Sequence, residues 1–278
     1  MPTLWGVAFV LPSIAVASRS RAFVRVSGPH AEDYLQRMVS NDVAALGHGD
    51  SCDALLLTPK ARLVAPLRIL RRAGDDFLLL TEPELGETVR AQLVQSRFAA
   101  RAEIELEEHA SYIVLGSGFE PPGDMVALPN PDYGVPAWEV LDAAAPEGER
   151  VPDDELERLR IEAGTPAFGR ELDERILPAE AGLVDRAVSL TKGCYPGQEP
   201  IARLHYRGHA NRGLRRLRIE SETTPEPDAE LVYEGKTVGR VTSAVPANGA
   251  VVALAYVRVA VPEDADLTVG EAVARPLH

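Results

Sequence analysis

LTKGCYPGQEPIAR, residues 190–203, sets a lone cysteine between two glycines, with Lys192 ahead of it and Glu199 behind. Gly193 and Gly197 allow backbone conformations closed to other residues, and let a ligand come close to the main chain. Pro196 stiffens the turn between them. The thiolate is the reactive form of cysteine; a converging Lys192 ammonium would favour it, while Glu199 would oppose it. A free cysteine is usually buried and inert, so a structural cysteine beside a tight turn is the plain alternative. The polar, glycine-rich surroundings set a functional loop thiol against it, and these residues alone leave both readings open.

The rest of the composition narrows the class. A chain of 278 residues exceeds the usual ~100–200 of one domain, so one large or two unequal domains are expected. Its 45% hydrophobic and 26% charged residues are those of an ordinary globular protein. A net charge of −13 argues against a general nucleic-acid binder, which needs clustered Lys and Arg at phosphates. The two cysteines, Cys52 and Cys194, are too few for a disulfide scaffold and read as reduced thiols in a cytoplasmic protein. Residues 4–17 are mostly apolar and Ala15-Val16-Ala17 imitates a cleavage site, but no positive charge precedes them and Pro12 interrupts them. They read as a first strand or edge segment. No other apolar run approaches the ~18 residues of a membrane span.

Ala22–Ser27 reads as a strand, followed by a helix with Pro29 in its first turn and Ala31, Tyr34, Leu35, Met38 and Val39 on one apolar face. Asn41-Asp42 ends it. Strands follow at 53–58, 62–70 and 76–81, then an amphipathic helix at 84–98 and strands at 102–107 and 111–115. This order suggests mixed α+β layers. Residues 116–136 and 143–152 read as loops around a short strand at 137–142. Residues 153–163 form a helix with acids in its first turn and Gly164 placed to end it. After Arg212 the runs LRRLRIE, AELVYEG, KTVGRVTSAV, AVVALAYVRV and ADLTVGEAV suggest a small all-β module. The chain is accordingly divided into a body at 1–206 and a β module at 213–278.

Other constellations are weaker. His205 and His209 lie downstream of Cys194, but a Cys–His nucleophile needs spatial adjacency that the sequence does not display. No array with zinc-ligand spacing is present, so no metal is expected. Residues 201–219 contain no acid, yet Arg203, Arg207, Arg212, Arg215, Arg216 and Arg218 all fall there. They make either a solvated linker and strand or an anion site with bidentate geometry. Glu162, in RLRIEAG, suits an i,i+4 pair with Arg158 or the N–H edge of a heterocycle.

KGCYPGQE at 192–199 resembles the KGCYxGQE signature of the YgfZ family, folate-binding proteins linked to iron–sulfur cluster assembly and tRNA modification and related to the glycine-cleavage T-protein (aminomethyltransferase). VSGPHAEDYLQRMVSNDV, LLLTPKARL, RIEAGTPAFGRELDERILPAEAGL, VGRVTSA and ALAYV resemble other segments of that family, so the likeness covers most of the chain. It implies an α+β ring of ferredoxin-like subdomains around a folate cavity, followed by a small C-terminal β-barrel. It implies tetrahydrofolate, or a one-carbon-substituted form, as cofactor. Glu162 would contact the pterin, Lys192 and Tyr195 would neighbour the cavity, Arg203 and Arg207 would meet the glutamate tail, and Cys194 would carry the chemistry. The implied partners are the folate and iron–sulfur client or assembly proteins, with neither direct nucleic acid nor membrane.

The T-protein comparison also shows a loss. Where that enzyme carries a catalytic aspartate, this chain has Ala65 and Pro66, neither of which has a side chain that handles a proton. Aminomethyl transfer is therefore the alternative, not the leading expectation. A departure from the YgfZ pattern is Ala61, where LLTPKGR has glycine.

Overall fold

The computed structural model describes residues 12–277. Residues 1–11, and with them the start of the apolar N-terminal segment, lie outside the described residues. The chain folds as two units, each discontinuous in sequence.

One unit comprises Arg19–Ser111 and Ala167–Gly213. Its five-stranded antiparallel sheet runs in the order Ser51–Leu57, Leu63–Ala73, Asp76–Thr81, Ala22–Ser27, Glu103–Glu107. Ala22 pairs with Thr81 and Ser27 with Asp76, which fixes the central register. The helices Ala31–Met38 and Gly86–Ser96 cover the sheet, and Leu35, Val89 and Leu93 join Val24, Val26, Leu56, Ile69 and Leu79 in a continuous core. Burying each such side chain contributes ~1.5–3 kcal/mol, and that drives the segment between the helices into paired strands. The first helix starts at Ala31, so Pro29 precedes it instead of sitting in its first turn, and His30 is the N-cap.

The second unit contains the described residues up to Ser18, Tyr112–Pro166 and the chain from Leu214. Its open sheet has the order Glu149–Arg150, Ala15–Ser18, Ser111–Leu115, Ala137–Leu141, Val126–Pro129. Two of these strands correct the loop reading. Val126–Pro129 pairs with Ala137–Leu141, and Glu149–Arg150 runs parallel to Ala15 and Val16. Both are short and largely exposed, so burial writes no alternating pattern into them. The helix Asp153–Ala163 begins with Asp153, Asp154 and Glu155, and ends on Gly164 at φ 78°.

The β module is a closed six-stranded barrel: Arg212–Ile219, Ala250–Arg258, Lys236–Ala247, Glu230–Tyr233, Leu267–Val269 and Ala272–Pro276. The last expected run is two strands, separated at Gly270. Val251, Ala253, Ala255 and Val257 fill the barrel, while Val252 and Leu254 on the opposite face meet Ile161 of the helix. A strand buried on both faces explains the unbroken apolar run VVALAYV.

Candidate functional site

The largest departure from the sequence reading falls on the signature itself. Residues 190–203 are not one loop: the loop ends at Gly197, and Gln198–Arg207 is a helix. Gly197, at φ 86°, is its N-cap, and Pro200 lies in the first turn, where its missing N–H costs nothing. A glycine and a proline inside two helical turns hid the element from periodicity. Gly197 is also pressed against the Thr58–Arg62 turn. A Cβ there would lie 2.8 Å from the Thr58 carbonyl oxygen and 3.0 Å from the Ala61 Cα.

The loop is fastened from beneath. Ser40, fully buried, donates its hydroxyl to the Ala187 carbonyl at 2.6 Å and accepts from the Leu55 N–H at 2.8 Å. Its own carbonyl accepts the Ser189 N–H, and Asn41 Nδ2 donates to the Asp53 carbonyl at 2.7 Å. Sequence reading took Asn41-Asp42 as a helix end and passed over Ser40. The available signal was a polar triplet, Ser-Asn-Asp, directly after an apolar helix face.

Lys192 is 8% exposed. Its ammonium donates to the carbonyls of Val39 at 2.8 Å and Asn41 at 2.6 Å, and lies 5.4 Å from the centre of the Tyr195 ring. Its charge is thus committed to backbone carbonyls, with Asp42 and the Cys52 thiol as the titratable groups nearest in effect. Burial lowers its pKa to about 8, against the opposing pull of those two groups. Cys52 is half-buried in the Ser51–Leu57 strand, and burial, with Asp53 and Asp42, pushes its pKa up to about 12. Cys194 is exposed at the loop's crest. Next to it the Tyr195 side chain turns inward, 7% exposed. Its hydroxyl is buried without a hydrogen-bond partner among the described residues, and burial raises its pKa to about 12. A buried hydroxyl left unpaired costs ~1–3 kcal/mol, so this atom marks a place where a ligand group or water would be stabilised.

The lysine's titration is directly measurable. The unfolded chain keeps this proton up to about pH 10.5 and the folded chain releases it near 8, so burying the ammonium disfavours folding below pH 8. That penalty fades between pH 8 and 10.5, and this group's contribution to stability rises with pH over the same window. The chain has three lysines. In an NMR titration of labelled lysine side chains, one of the three signals is expected to have its midpoint near pH 8. Three midpoints in the ordinary lysine range would contradict the buried placement.

The remaining sequence candidates divide. Arg203 and Arg207 lie on the Gln198–Arg207 helix and line a cavity in the same unit as the loop. Arg212 is held by Glu180 at 3.1 Å, Arg215 donates to the carbonyls of Val261 and Pro262, and Arg218 to that of Asn248. The arginine run is therefore not one anion site, and its later members brace the barrel. Glu162 belongs to the other unit. Its carboxylate accepts from Arg158 at 2.6 Å, and its carbonyl accepts from Arg216 at 2.8 Å. Arg158 also holds Glu155, and these hydrogen bonds keep its pKa raised. Ala65 and Pro66 sit within the Leu63–Ala73 strand, Ala65 fully buried. Among the described residues no cluster of His, Cys, Asp and Glu could hold a metal, and no helix is long and apolar enough to cross a membrane.

No protein-family model matches the chain. Its sequence is 25% identical to the tRNA-modifying protein YgfZ of Cronobacter sakazakii, over 80% of this chain and 76% of that protein. It is 27% identical to the aminomethyltransferase of Chlorobium phaeobacteroides, over 74% of this chain and 67% of that one. Among solved structures, the glycine cleavage system aminomethyltransferase T of Bartonella henselae superposes with a TM-score of 0.82 at 21% identity, covering 96% of this chain and 85% of that one. The α+β sheets and closed C-terminal barrel are thus those of the T-protein fold. The chain is similar in sequence to YgfZ proteins and has the fold of the aminomethyltransferase T-proteins.

Proposed function

We propose that this protein binds a reduced folate and supports the assembly or repair of iron–sulfur enzymes in the cytoplasm, with Cys194 as its working thiol. The observation that carries this reading is the construction of the signature loop. An exposed thiol is held on a rigid base made by a buried ammonium and a buried serine, beside a buried hydroxyl that has no partner. A purely structural cysteine needs none of these. The likeness to YgfZ and aminomethyltransferase proteins supports tetrahydrofolate, or a one-carbon-substituted form, as the ligand. Glu162 supplies the carboxylate for the pterin N–H edge. The bound folate would bring a one-carbon or redox-active group.

Aminomethyl transfer is the second reading and is disfavoured, because Ala65 and Pro66 offer no side chain to take or give a proton. The relatives' tRNA-modifying role is assigned here to iron–sulfur enzymes that modify tRNA, not to direct contact: at net charge −13 the protein has little to offer a phosphate backbone.

Calorimetric titration of tetrahydrofolate tests the ligand. Removing the charged acceptor in Glu162→Ala should cost ~1.5–3 kcal/mol, or about tenfold or more in affinity. Glu162→Gln, which keeps the shape and one acceptor, should lose less. Equal binding by wild type and Glu162→Ala would remove Glu162 from the site, and no binding by wild type would remove the folate.

A further inference from the structure

The helix Gly86–Ser96 has two faces of different character. Gly86, Val89 and Leu93 form its buried face, the last two within the core of the sheet. Turned to solvent is a second apolar row at helical spacing: Ala91 and Val94, with Phe98 one residue past the C-cap Arg97. Val94 is 38% exposed and Phe98 93%, which makes Phe98 the most exposed large hydrophobic among the described residues. Its backbone is unfavourable too. At φ 47° it holds the left-handed position that ends helices, where glycine is usual and a bulky side chain is an outlier. An isolated exposed apolar residue needs no explanation, but a strained aromatic that continues a helical apolar row marks a contact surface.

The charges at the two ends of this row are opposite. Glu84 and Glu87 precede it, both exposed. Glu84 has no hydrogen-bond or ion-pair partner among the described residues, and Glu87 has an exposed pair with Arg90 that carries little energetic weight. Arg97 and Arg101 follow the row, and neither meets a carboxylate among the described residues. Arg97 donates to the Ala102 carbonyl at 3.0 Å, and the Arg101 guanidinium lies 3.2 Å from His30 Nε2. The neighbouring edge strand, Glu103–Glu107, is a poor place to join two sheets: antiparallel pairing with its own copy would set Glu103, Glu105 and Glu107 against acids.

We infer that the face made by Ala91, Val94 and Phe98 pairs with the same face of a second copy of this chain, the two helices antiparallel about a two-fold axis. Such an axis demands a patch that is complementary to itself. The charge polarity supplies that complementarity. With Ala91 of one copy against Val94 of the other, each Phe98 covers the first turn of the opposite helix, and each Glu84 comes level with the other copy's Arg101. Ala91 is small enough to let the helices approach, and Phe98 is the aromatic anchor. A parallel arrangement would set Glu84 against Glu84 and Arg101 against Arg101. One helix face is a small interface, so the dimer is a weak one that forms in the micromolar range.

Sedimentation velocity of the full chain is the test. The wild type should be largely monomeric at ~1 μM and dimeric at ~100 μM. Phe98→Gly should weaken association at least about tenfold. Its melting temperature at ~1 μM should hold or rise, because glycine relieves the left-handed backbone. Glu84→Arg alone and Arg101→Glu alone should each weaken association about threefold or more. The two together in one chain should restore it, since the antiparallel pair re-forms with its signs exchanged. A chain that stays monomeric to ~300 μM overturns the pairing and leaves this face to a different protein. A dimer unaffected by Phe98→Gly puts the contact elsewhere and overturns it as well. So does a doubly reversed variant that fails to re-associate. A lower melting temperature for Phe98→Gly would mean that the ring packs within its own chain, which is equally fatal to the inference.

Discussion

Cys194→Ser is expected to abolish the protein's support of iron–sulfur enzymes in cells that lack the wild-type copy, while leaving its fold and its folate affinity nearly unchanged. Serine keeps the approximate size but loses the soft, ionisable sulfur. The side chain is exposed, so packing registers little. The loop beneath is held by Lys192, Ser40 and Gly197, none of which the substitution touches. The chemistry should show first in alkylation of the native protein. Cys194 should react well before Cys52, because Cys52 is half-buried and its pKa stands at about 12, leaving little thiolate at neutral pH. Equal labelling rates would contradict the difference in access. A folded Cys194→Ser protein that fully restored enzyme activity would make the thiol structural and the proposed role untenable.

Gly197→Ala should be among the most destabilising single changes in the signature, at about 3 kcal/mol. A left-handed backbone costs an L-residue ~1–2 kcal/mol, and forcing a methyl into an occupied space adds ~1–3 kcal/mol. The contact is unforgiving because the opposing atoms are backbone: the Thr58 carbonyl oxygen and the Ala61 Cα and nitrogen. Ala61 sharpens the constraint. It stands at φ 56°, which accounts for the glycine of the family pattern, and its methyl is already buried against this junction. With a side chain on one of the two touching turns, the other must stay bare. Gly193→Ala is the control: it sits in the same loop with nothing near a new Cβ, and should change stability by under ~0.5 kcal/mol. Urea unfolding at constant m-value measures both. Equal midpoints for the two variants would mean that the loop does not press on the turn.

Much of the fold was legible where burial enforces a period. The Asp76–Thr81 strand, the Asp153–Ala163 helix with its glycine stop and the β texture after Arg212 all follow from which side chains face a core. Legibility failed where local chemistry outweighs pattern. The Gln198–Arg207 helix opens on a glycine and holds a proline, and Val126–Pro129 buries little but Leu128. At the candidate site, the residue types of the loop stood out in the sequence, but their wiring did not. Lys192 reaches backbone carbonyls of Val39 and Asn41, more than a hundred residues earlier in the chain, and no spacing announces a contact of that kind. The arginine run looked like one feature because its members are neighbours in sequence; a helix and a barrel strand divide them in space.

The Ser40 hydroxyl joins positions 147 residues apart along the chain. Closing a loop of that length costs ~4 kcal/mol in chain entropy, and contacts of such separation form late and slowly. On the ribosome, Arg19–Ser111 emerges long before Ala167–Gly213, the segment that completes the same unit. The base under Cys194 can therefore be assembled only after nearly three-quarters of the protein has been made. Until then the sheet can form with Cys52 packed against its core, while the segment that carries Cys194 and the groups beneath it is still to be made. A newly made chain thus passes through an interval in which one thiol is already folded in and the other has no platform, and the length of that interval is set by the rate of translation.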